Sequence, residues 1–583
     1  MTRFLAYRGP EGQESWRDIS IALGHTLLRT ARYADARGQQ LTQLDKLTIT
    51  ADVRLDSPGE LKERLERAGR QINESVTDVL LILHSYATWG SKCVEYLKGD
   101  FGFGIWDAKA KTLFCARDHL GIKPFYYVAF AKLFLFSNTL NCLRQHPAVS
   151  TKLNDKAIGD FLLFGLNYDN TSTTFHDIQR LPPAHTLLVS RQTLEMKCYW
   201  TLPTDERVEC CGSGEYVRQF DLIFKAGVAD RMRSDRVGIF LSGGLDSGAV
   251  ASAAKELAMH QGGIPDIRTY TVGYDRLISD DEGAKARMSA DYLGLPNQYV
   301  ALDDKKFIID TDDSQYTFPE PVEYPVTAGW FEQFRIIASD CRLALYGEGA
   351  DNLMYFQMWP HLQELSRNGY WRRLLKDTGL YLWLRPVPWK GIAARLETFF
   401  RMSSEYNEVP NWISPDFVRR QSLDSRLREC VKLAMPSKKH AVRPKAHASM
   451  SLPQWTSLFE LQNPGVTRSP LHVVYPFLDL RTVSYLLAIP PFPLLYKKAL
   501  LRRALIGKIP EVLRMRPKTP LSANPETRML QELRNREMRG NELKLTGRIN
   551  EFVATTALEK FCGNMSSAYV RSYCLARWLN KVL

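Results

Sequence analysis

The sequence predicts an α+β N-terminal domain followed by an α/β domain on a parallel sheet, with a large helical extension behind it. Three observations carry this reading. Short β-like runs fill residues 41–199, apolar runs alternate with helical stretches beyond residue 215, and the tail from about Asn352 is mainly helical in pattern. In the first part, Leu47-Thr48-Ile49-Thr50-Ala51 and Leu113-Phe114-Cys115-Ala116 read as strands. A helix is expected from about Ser75 to Gly90, because Val79, Leu80, Leu83 and Tyr86 fall at helical spacing. Residues 201–215 are rich in Pro, Thr, Gly and charge and read as a linker. The runs 237–241, 269–272 and 343–346 are the expected parallel strands. The expected organisation is therefore a domain at 1–200, a linker at 201–215 and a second domain at 216–583.

The 583 residues are 45% hydrophobic and 24% charged, which excludes a disordered, collagen-like or coiled-coil chain. No run of about 18 apolar residues occurs, and the first ten residues lack the apolar core of a secretory signal. A cytoplasmic protein without a membrane partner is expected. Lys and Arg outnumber Asp and Glu by 77 to 64, yet the cations are scattered and no zinc-finger or RNA-recognition signature accompanies them. Nucleic acid is not an expected partner. The densest basic stretch, Lys438-Lys439-His440 with Arg443 and Lys445, is broken by Pro436 and Pro444 and reads as a solvated loop. The cysteines show no C-x-x-C pair, and Cys210-Cys211 suit a loop, so reduced thiols are expected rather than disulfides or zinc.

The densest chemistry begins at residue 237. The apolar strand Val237-Gly238-Ile239-Phe240-Leu241 runs into Ser242-Gly243-Gly244-Leu245-Asp246-Ser247 and then into a small-residue helix. Strand, Gly/Ser turn and helix form a phosphate cradle, because glycines let the backbone approach an anion and the helix start presents unpaired N–H groups. Ser242 and Ser247 add hydroxyl donors. Asp246 would repel a phosphate directly, so its sensible role is to hold Mg²⁺, whose charge bridges carboxylate and phosphate. No G-x-x-x-x-G-K-[ST] lysine is present, so this is not a loop for γ-phosphate transfer.

Ser242–Ser247 matches the pyrophosphate loop of ATP pyrophosphatases that adenylate their substrates. The chain as a whole resembles the asparagine synthetase family, which includes β-lactam synthetases and lasso-peptide macrolactam cyclases. In the N-terminal half the resemblance rests on Gly99-Asp100-Phe101-Gly102-Phe103-Gly104-Ile105-Trp106-Asp107 and on the run from Ala116-Arg117-Asp118 to Phe125-Tyr126-Tyr127. Both read as hairpin and interface residues rather than catalytic ones. The resemblance implies an Ntn-hydrolase-like (class II glutamine amidotransferase) sandwich, then an adenine-nucleotide α-hydrolase (PP-loop ATP pyrophosphatase) domain.

It also implies roles. ATP is cleaved between the α- and β-phosphates, an acyl-adenylate forms, and an amine displaces AMP, so ATP and Mg²⁺ are the expected cofactors. Ser242, Gly243, Gly244, Asp246, Ser247 and Gly347 match the ATP and pyrophosphate site, and Val272 and Gly273 match positions lining the adenine. Asp246 and Asp351 match the two magnesium ligands; two acids over one polyphosphate make physical sense because the metal neutralises the departing pyrophosphate. Glu348 matches the acid near the incoming amine, where β-lactam synthetases carry a tyrosine; a carboxylate there can take the amine's proton. Lys518, in Arg516-Pro517-Lys518, matches the lysine that stabilises the transition state of amide formation, with Lys497 and Lys498 as rival cations. The run Val474-Tyr475-Pro476-Phe477-Leu478-Asp479 also matches a family segment and is expected to serve packing.

The first domain departs from the pattern. Family glutaminases use a cysteine directly after the initiator methionine, with its own α-amine as base; here residue 2 is Thr2, and Arg8-Gly9-Pro10 resembles a motif normally tens of residues downstream. Ala51-Asp52-Val53 stand where the family has Asn-Gly-Glu, and Leu27 stands where an arginine grips glutamine. Asp78 alone matches the pocket's acid. A truncated gene model would explain the absent cysteine but not Leu27 or Ala51. The expected function is an ATP-dependent amide ligase without its own glutaminase, using ammonia or a substrate amine on a small-molecule or peptide carboxylate. Two alternatives stay open. One is a macrolactam cyclase with a precursor peptide and a maturation partner, which would use the aromatic stretch Tyr355, Phe356, Trp359, Tyr370, Trp371, Tyr381, Trp383 and Trp389 as a groove where helical core is the commoner use. The other is a non-catalytic ATP-binding scaffold. A homodimer is a further expectation.

Overall fold

The computed structural model describes residues 1–30, 41–260, 265–278, 281–303, 318–323, 328–384, 408–434, 439–517, 528–529, 548–554 and 567–582. In the N-terminal part, β1 (Gly12–Asp18) and β2 (Ile21–Leu27) form a hairpin. Strands β3 (Thr42–Leu44), β4 (Leu47–Leu55), β5 (Gly99–Asp107), β6 (Thr112–Arg117), β10 (His185–Val189) and β11 (Leu194–Cys198) form a six-stranded antiparallel sheet, and β7 (Tyr126–Phe130), β8 (Leu133–Ser137) and β9 (Gln179–Arg180) form a three-stranded one. The strand expected at Leu47–Ala51 is realised in β4: Leu47, Ile49, Ala51 and Leu55 share a core with Leu61, Leu65, Val79 and Leu83 of two helices on one face. The second of these, Asp78–Trp89, starts where the Thr77 hydroxyl accepts the Leu80 N–H and ends at Gly90, whose φ is +56°.

The opposite face of the large sheet carries the two small sheets, packed through Leu23, Trp106, Leu113, Phe125 and Leu187. They do not pair with each other, and between them lies a cavity of about 560 Å³ bordered by residues 20–28 along β2 and 133–138 along β8.

In the C-terminal part, β12 (Arg236–Phe240), β13 (Asp266–Gly273), β14 (Asn297–Ala301), β15 (Leu343–Leu345) and β16 (His472–Val474) form a parallel sheet in the order β14-β13-β12-β15-β16. The chain builds outward from β12 on one side and then returns to build on the other. The carboxyl end of β12 is therefore the topological switch point, where the flanking loops splay apart and leave a crevice. Helices Ser213–Arg231 and Leu245–His260 cover the sheet, and the C-terminal helix Ser567–Val582 returns to pack Tyr573, Leu575 and Trp578 with Phe161 and Phe175 of the N-terminal part. No helix among the described residues is long and apolar enough to cross a membrane, and the described cysteines are free thiols.

Two sequence expectations are corrected. The basic stretch around residue 440 is not a solvated loop. His440 and Arg443 are buried, and the Arg443 guanidinium donates to the carbonyls of Leu353, Tyr355 and Leu486, joining two segments far apart in sequence. Burial without a neighbouring carboxylate lowers its pKa to about 9. Lys438 lies outside the described residues. The aromatic stretch is not helical core: Trp359, Trp371 and Trp383 are exposed, while Phe356 and Tyr381 pack against Phe492 and Tyr496; Trp389 lies outside the described residues.

A buried chain of ion pairs fastens the two parts together. From the N-terminal side, Arg54 binds Asp100 at 2.9 Å and Asp56 at 2.5 Å. From the C-terminal side, Arg231 binds Asp56 at 3.0 Å and Asp479 at 2.8 Å, and Arg481 binds Asp479 at 2.7 Å and Asp230 at 2.6 Å. Asp479, expected only to pack, is thus a hub, and it also caps the helix Leu480–Ala488 by accepting the Arg481 N–H. Burial alone would raise its pKa, but Arg481 and Arg231 outweigh burial and hold it well below the ordinary carboxylate range. A group depressed in the folded state stabilises above its unfolded value, about 3.9, and that contribution fades as pH falls toward the folded value. Asp479→Asn keeps a capping oxygen but leaves Arg231 short of a charge. It is expected to cost about 3–5 kcal/mol in urea unfolding at pH 7 and to flatten the fall in stability below about pH 4.

Candidate functional site

The loop 241–246 leaves β12 at the switch point and enters the helix Leu245–His260. Its geometry follows from its residue types. Gly243 has φ +67°, and a Cβ there would stand 2.5 Å from Lys285 Cβ and 2.6 Å from the Ala286 nitrogen, so only glycine lets the helix Glu282–Leu293 close on the loop. The Ser242 N–H donates to Ser247 Oγ at 3.2 Å, the two hydroxyls lie 3.1 Å apart, and Ser247 Oγ reaches the Gly244 carbonyl at 3.3 Å. The turn is thus braced from within, while Ser242 and Gly244 stay exposed to the crevice.

The loop after β15 arrives beside it. A Cβ on Gly347 would stand 3.0 Å from the Ser247 nitrogen, so this glycine permits the two loops to touch. Glu348 follows, partly buried, and its charge contributes with burial to raising the Tyr346 pKa. Gly349, at φ +101°, packs on Leu478 and starts the short helix Ala350–Leu353 that carries Asp351. This brings Asp246 and Asp351 onto one cation. Lys498 Nζ lies 2.7 and 2.6 Å from the two Asp246 oxygens and 2.6 Å from Asp351 Oδ1.

A divalent metal fits this donor set: two carboxylates converge on a point already holding positive charge, beside a backbone cradle that closes only because Gly243 and Gly347 lack side chains. Another acid group with metal-like spacing, Asp56, Asp230 and Asp479, is neutralised by Arg231 and Arg481 and belongs to the domain junction.

The other expected residues are placed as follows. Val272 and Gly273 end β13 beside the loop, with Gly273 tight against the Tyr299 ring. Arg516 reaches toward Asp281 at 3.7 Å, and Lys518 lies outside the described residues. Sequence reasoning missed the buried Lys285, which packs under Gly243 and pairs with Asp281. Nothing local in the sequence marks it. Lys498, in sequence a rival cation to Lys518, is the lysine that the structure places between Asp246 and Asp351.

In the N-terminal part, Leu27, Ala51, Asp52, Val53 and Asp78 all line the cavity between the small sheets, so the positions matched to a glutamine pocket do lie together. Their charges are committed elsewhere. Asp78 binds Arg233 at 2.7 and 3.1 Å and accepts the Leu55 N–H. Asp52 accepts from Lys123 at 2.5 Å, Arg8 at 3.0 Å and Asn138 at 3.2 Å; burial would raise its pKa, but Lys123 and Arg8 hold it below the ordinary range. Lys123 also meets His472 at 2.7 Å, which joins this cluster to the C-terminal part.

Residues 1–200 match the family model of a glutamine amidotransferase domain, and residues 219–579 match that of asparagine synthase. A glutamine-hydrolysing asparagine synthetase 3 of Bacillus subtilis (strain 168) is 26% identical over 89% of this chain and 83% of its own length. Asparagine synthetase 2 of the same organism is 28% identical over 52% of this chain and 40% of its own. Amidase chyE of Penicillium rubens is 26% identical over 60% of this chain and 53% of its own. The chain thus spans most of the first relative and about half or less of the other two.

The loop geometry makes a direct prediction. Gly243→Ala is expected to lower the melting temperature and to abolish any stabilisation by ATP with Mg²⁺ in a thermal-shift measurement. Gly248→Ala, whose added Cβ would meet nothing closer than 3.7 Å, should leave both near the parent values.

Proposed function

Because the chain belongs to the asparagine synthase family, and is an ATP-dependent carbon–nitrogen ligase, we propose that it activates a carboxylate as an acyl-adenylate and passes to it an amine that does not come from glutamine hydrolysis. The observation that carries the reading is the convergence of Asp246 and Asp351, over a hundred residues apart in sequence, on one cation beside the Ser242–Ser247 cradle.

In this reading the backbone N–H groups and hydroxyls of Ser242–Ser247 hold the β- and γ-phosphates at the helix start. Mg²⁺, held by Asp246 and Asp351, would supply positive charge to the pyrophosphate that leaves. Val272 and Gly273 offer the adenine a flat edge at the end of β13. Glu348, beside the Tyr346 ring, accepts a proton from the incoming ammonium, and Lys518 stabilises the charge of the tetrahedral species. A carboxylate at position 348 favours ammonia as the amine and a small acid such as aspartate as the acceptor.

The absence of glutaminase is supported by the cavity lining. Asp78 and Asp52 are each neutralised by arginine or lysine, and Leu27 offers no charge to a substrate carboxylate. A second reading, condensation on a peptide, is favoured by the exposed Trp359, Trp371 and Trp383 on helices Met358–Arg367 and Trp371–Leu384; Phe356, just before the first helix, and Tyr381 in the second abut Tyr496, two residues before Lys498.

Pyrophosphate release from ATP with Mg²⁺ tests the proposal, with Asp246→Ala as the inactive control. Aspartate with ammonia should support release, and glutamine in place of ammonia should not. Release only with a peptide acceptor would select the second reading. Turnover driven by glutamine would overturn the view of the first domain, and failure to bind ATP with Mg²⁺ would leave a scaffold.

A further inference from the structure

We propose that Lys498 is a built-in counter-ion that occupies the metal position while no nucleotide is bound, so that a divalent cation enters only together with a polyphosphate. The inference rests on the ligase reading of Asp246 and Asp351 as metal ligands. Its basis is the position of one ammonium. Lys498 Nζ is within 2.7 Å of three carboxylate oxygens from two acids, the place a bridging cation takes between two such ligands. Asp351 is half-exposed and Asp246 only about a quarter exposed, so a cation between them offsets a repulsion that water screens less at Asp246 than at Asp351.

The backbone aims the lysine there. Lys497 and Lys498 both have left-handed φ, +51° and +55°, a conformation that L-residues adopt only under constraint. The constraint is visible: Arg502 Nε donates to the Lys497 carbonyl at 2.8 Å, and the Leu500 N–H donates to the Leu494 carbonyl at 2.6 Å. The Tyr496 ring is wedged among Phe356, Tyr381 and Phe492. A turn so anchored leaves the side chain as the part free to move. Four rotatable bonds let the ammonium leave the acids and still reach an anion on the neighbouring cradle.

The consequence is a charge exchange. A metal arriving alone must expel an ammonium that then has no anion to pair with. A metal arriving on a polyphosphate brings the oxygens that receive it. Metal and nucleotide binding are therefore coupled positively through Lys498, and the coupling is reciprocal.

Mn²⁺ binding followed by electron paramagnetic resonance on the full chain tests this without turnover. The parent protein is expected to bind Mn²⁺ weakly alone and tightly with α,β-methylene-ATP. Lys498→Met and Lys498→Gln, each shown folded by its melting curve, should bind Mn²⁺ at least tenfold more tightly than the parent without nucleotide, and adding Asp351→Asn should remove that gain. Tight Mn²⁺ binding by the parent alone would overturn the proposal. So would variants that gain nothing while the parent still binds Mn²⁺ with the analogue, an outcome that leaves the ligase reading standing. No Mn²⁺ binding by the parent even with the analogue would instead overturn the metal site itself, and the proposal with it.

Discussion

The buried ionic chain from Asp100 through Arg54, Asp56, Arg231 and Asp479 to Arg481 and Asp230 is the constraint on which the rest of the molecule depends. Charges taken out of water are costly unless each is met by a partner in good geometry, so a chain of this kind tolerates very few relative placements of the two parts. It also reaches the site. Asp479 follows Leu478, Leu478 packs on Gly349, and Gly349 starts the helix that carries Asp351. The junction and the position of Asp351, one of the two acids proposed to hold the metal, are therefore parts of a single packed unit.

The proposed phosphate site is built largely from backbone rather than side chain. Two glycines let two loops and a helix start approach to backbone distance, two serines brace the turn, and two acids share one lysine. The strand order explains the location. At the carboxyl end of β12 the connections on either side lead away in opposite directions, which is where a crevice opens in such a sheet.

The N-terminal part keeps an amidotransferase-type architecture while its polar residues serve the junction. Asp52, Lys123 and Arg8 knit to His472 and Asn463 across the boundary, and Asp78 is held by Arg233 of the segment joining helix Ser213–Arg231 to β12. A carboxylate already balanced by a buried cation has little left to offer a substrate ammonium, because binding the new charge means breaking the old pair. Residues 201–212 belong to the same boundary. Far from a bare tether, they place Leu202, Val208 and Cys210 against the C-terminal core, with the Tyr216 hydroxyl donating to the Val208 carbonyl.

Local pattern was enough for several of the elements. A short β-like run marked β4, helical spacing marked Asp78–Trp89, and the run at 237–254 read as strand, turn and helix, because each of these is written in neighbouring residues. It was not enough for buried charge. Arg443 sat in what read as a solvated basic loop, Asp479 in a packing segment and Lys285 in no motif at all, since burial and pairing depend on what arrives from elsewhere in the chain. The exposed tryptophans of the helical pair misled in the other direction, as spacing alone does not say which face finds a partner. What the sequence determined by itself was the family's kind of chemistry and the local elements, with the Ser242–Ser247 loop and the acids Asp246 and Asp351 as its candidate groups. Only the tertiary structure decided which of these groups meet. Asp246, Asp351 and Lys498 converge because the order in which strands are added reverses at β12, and strand order is a long-range property that no stretch of neighbouring residues encodes.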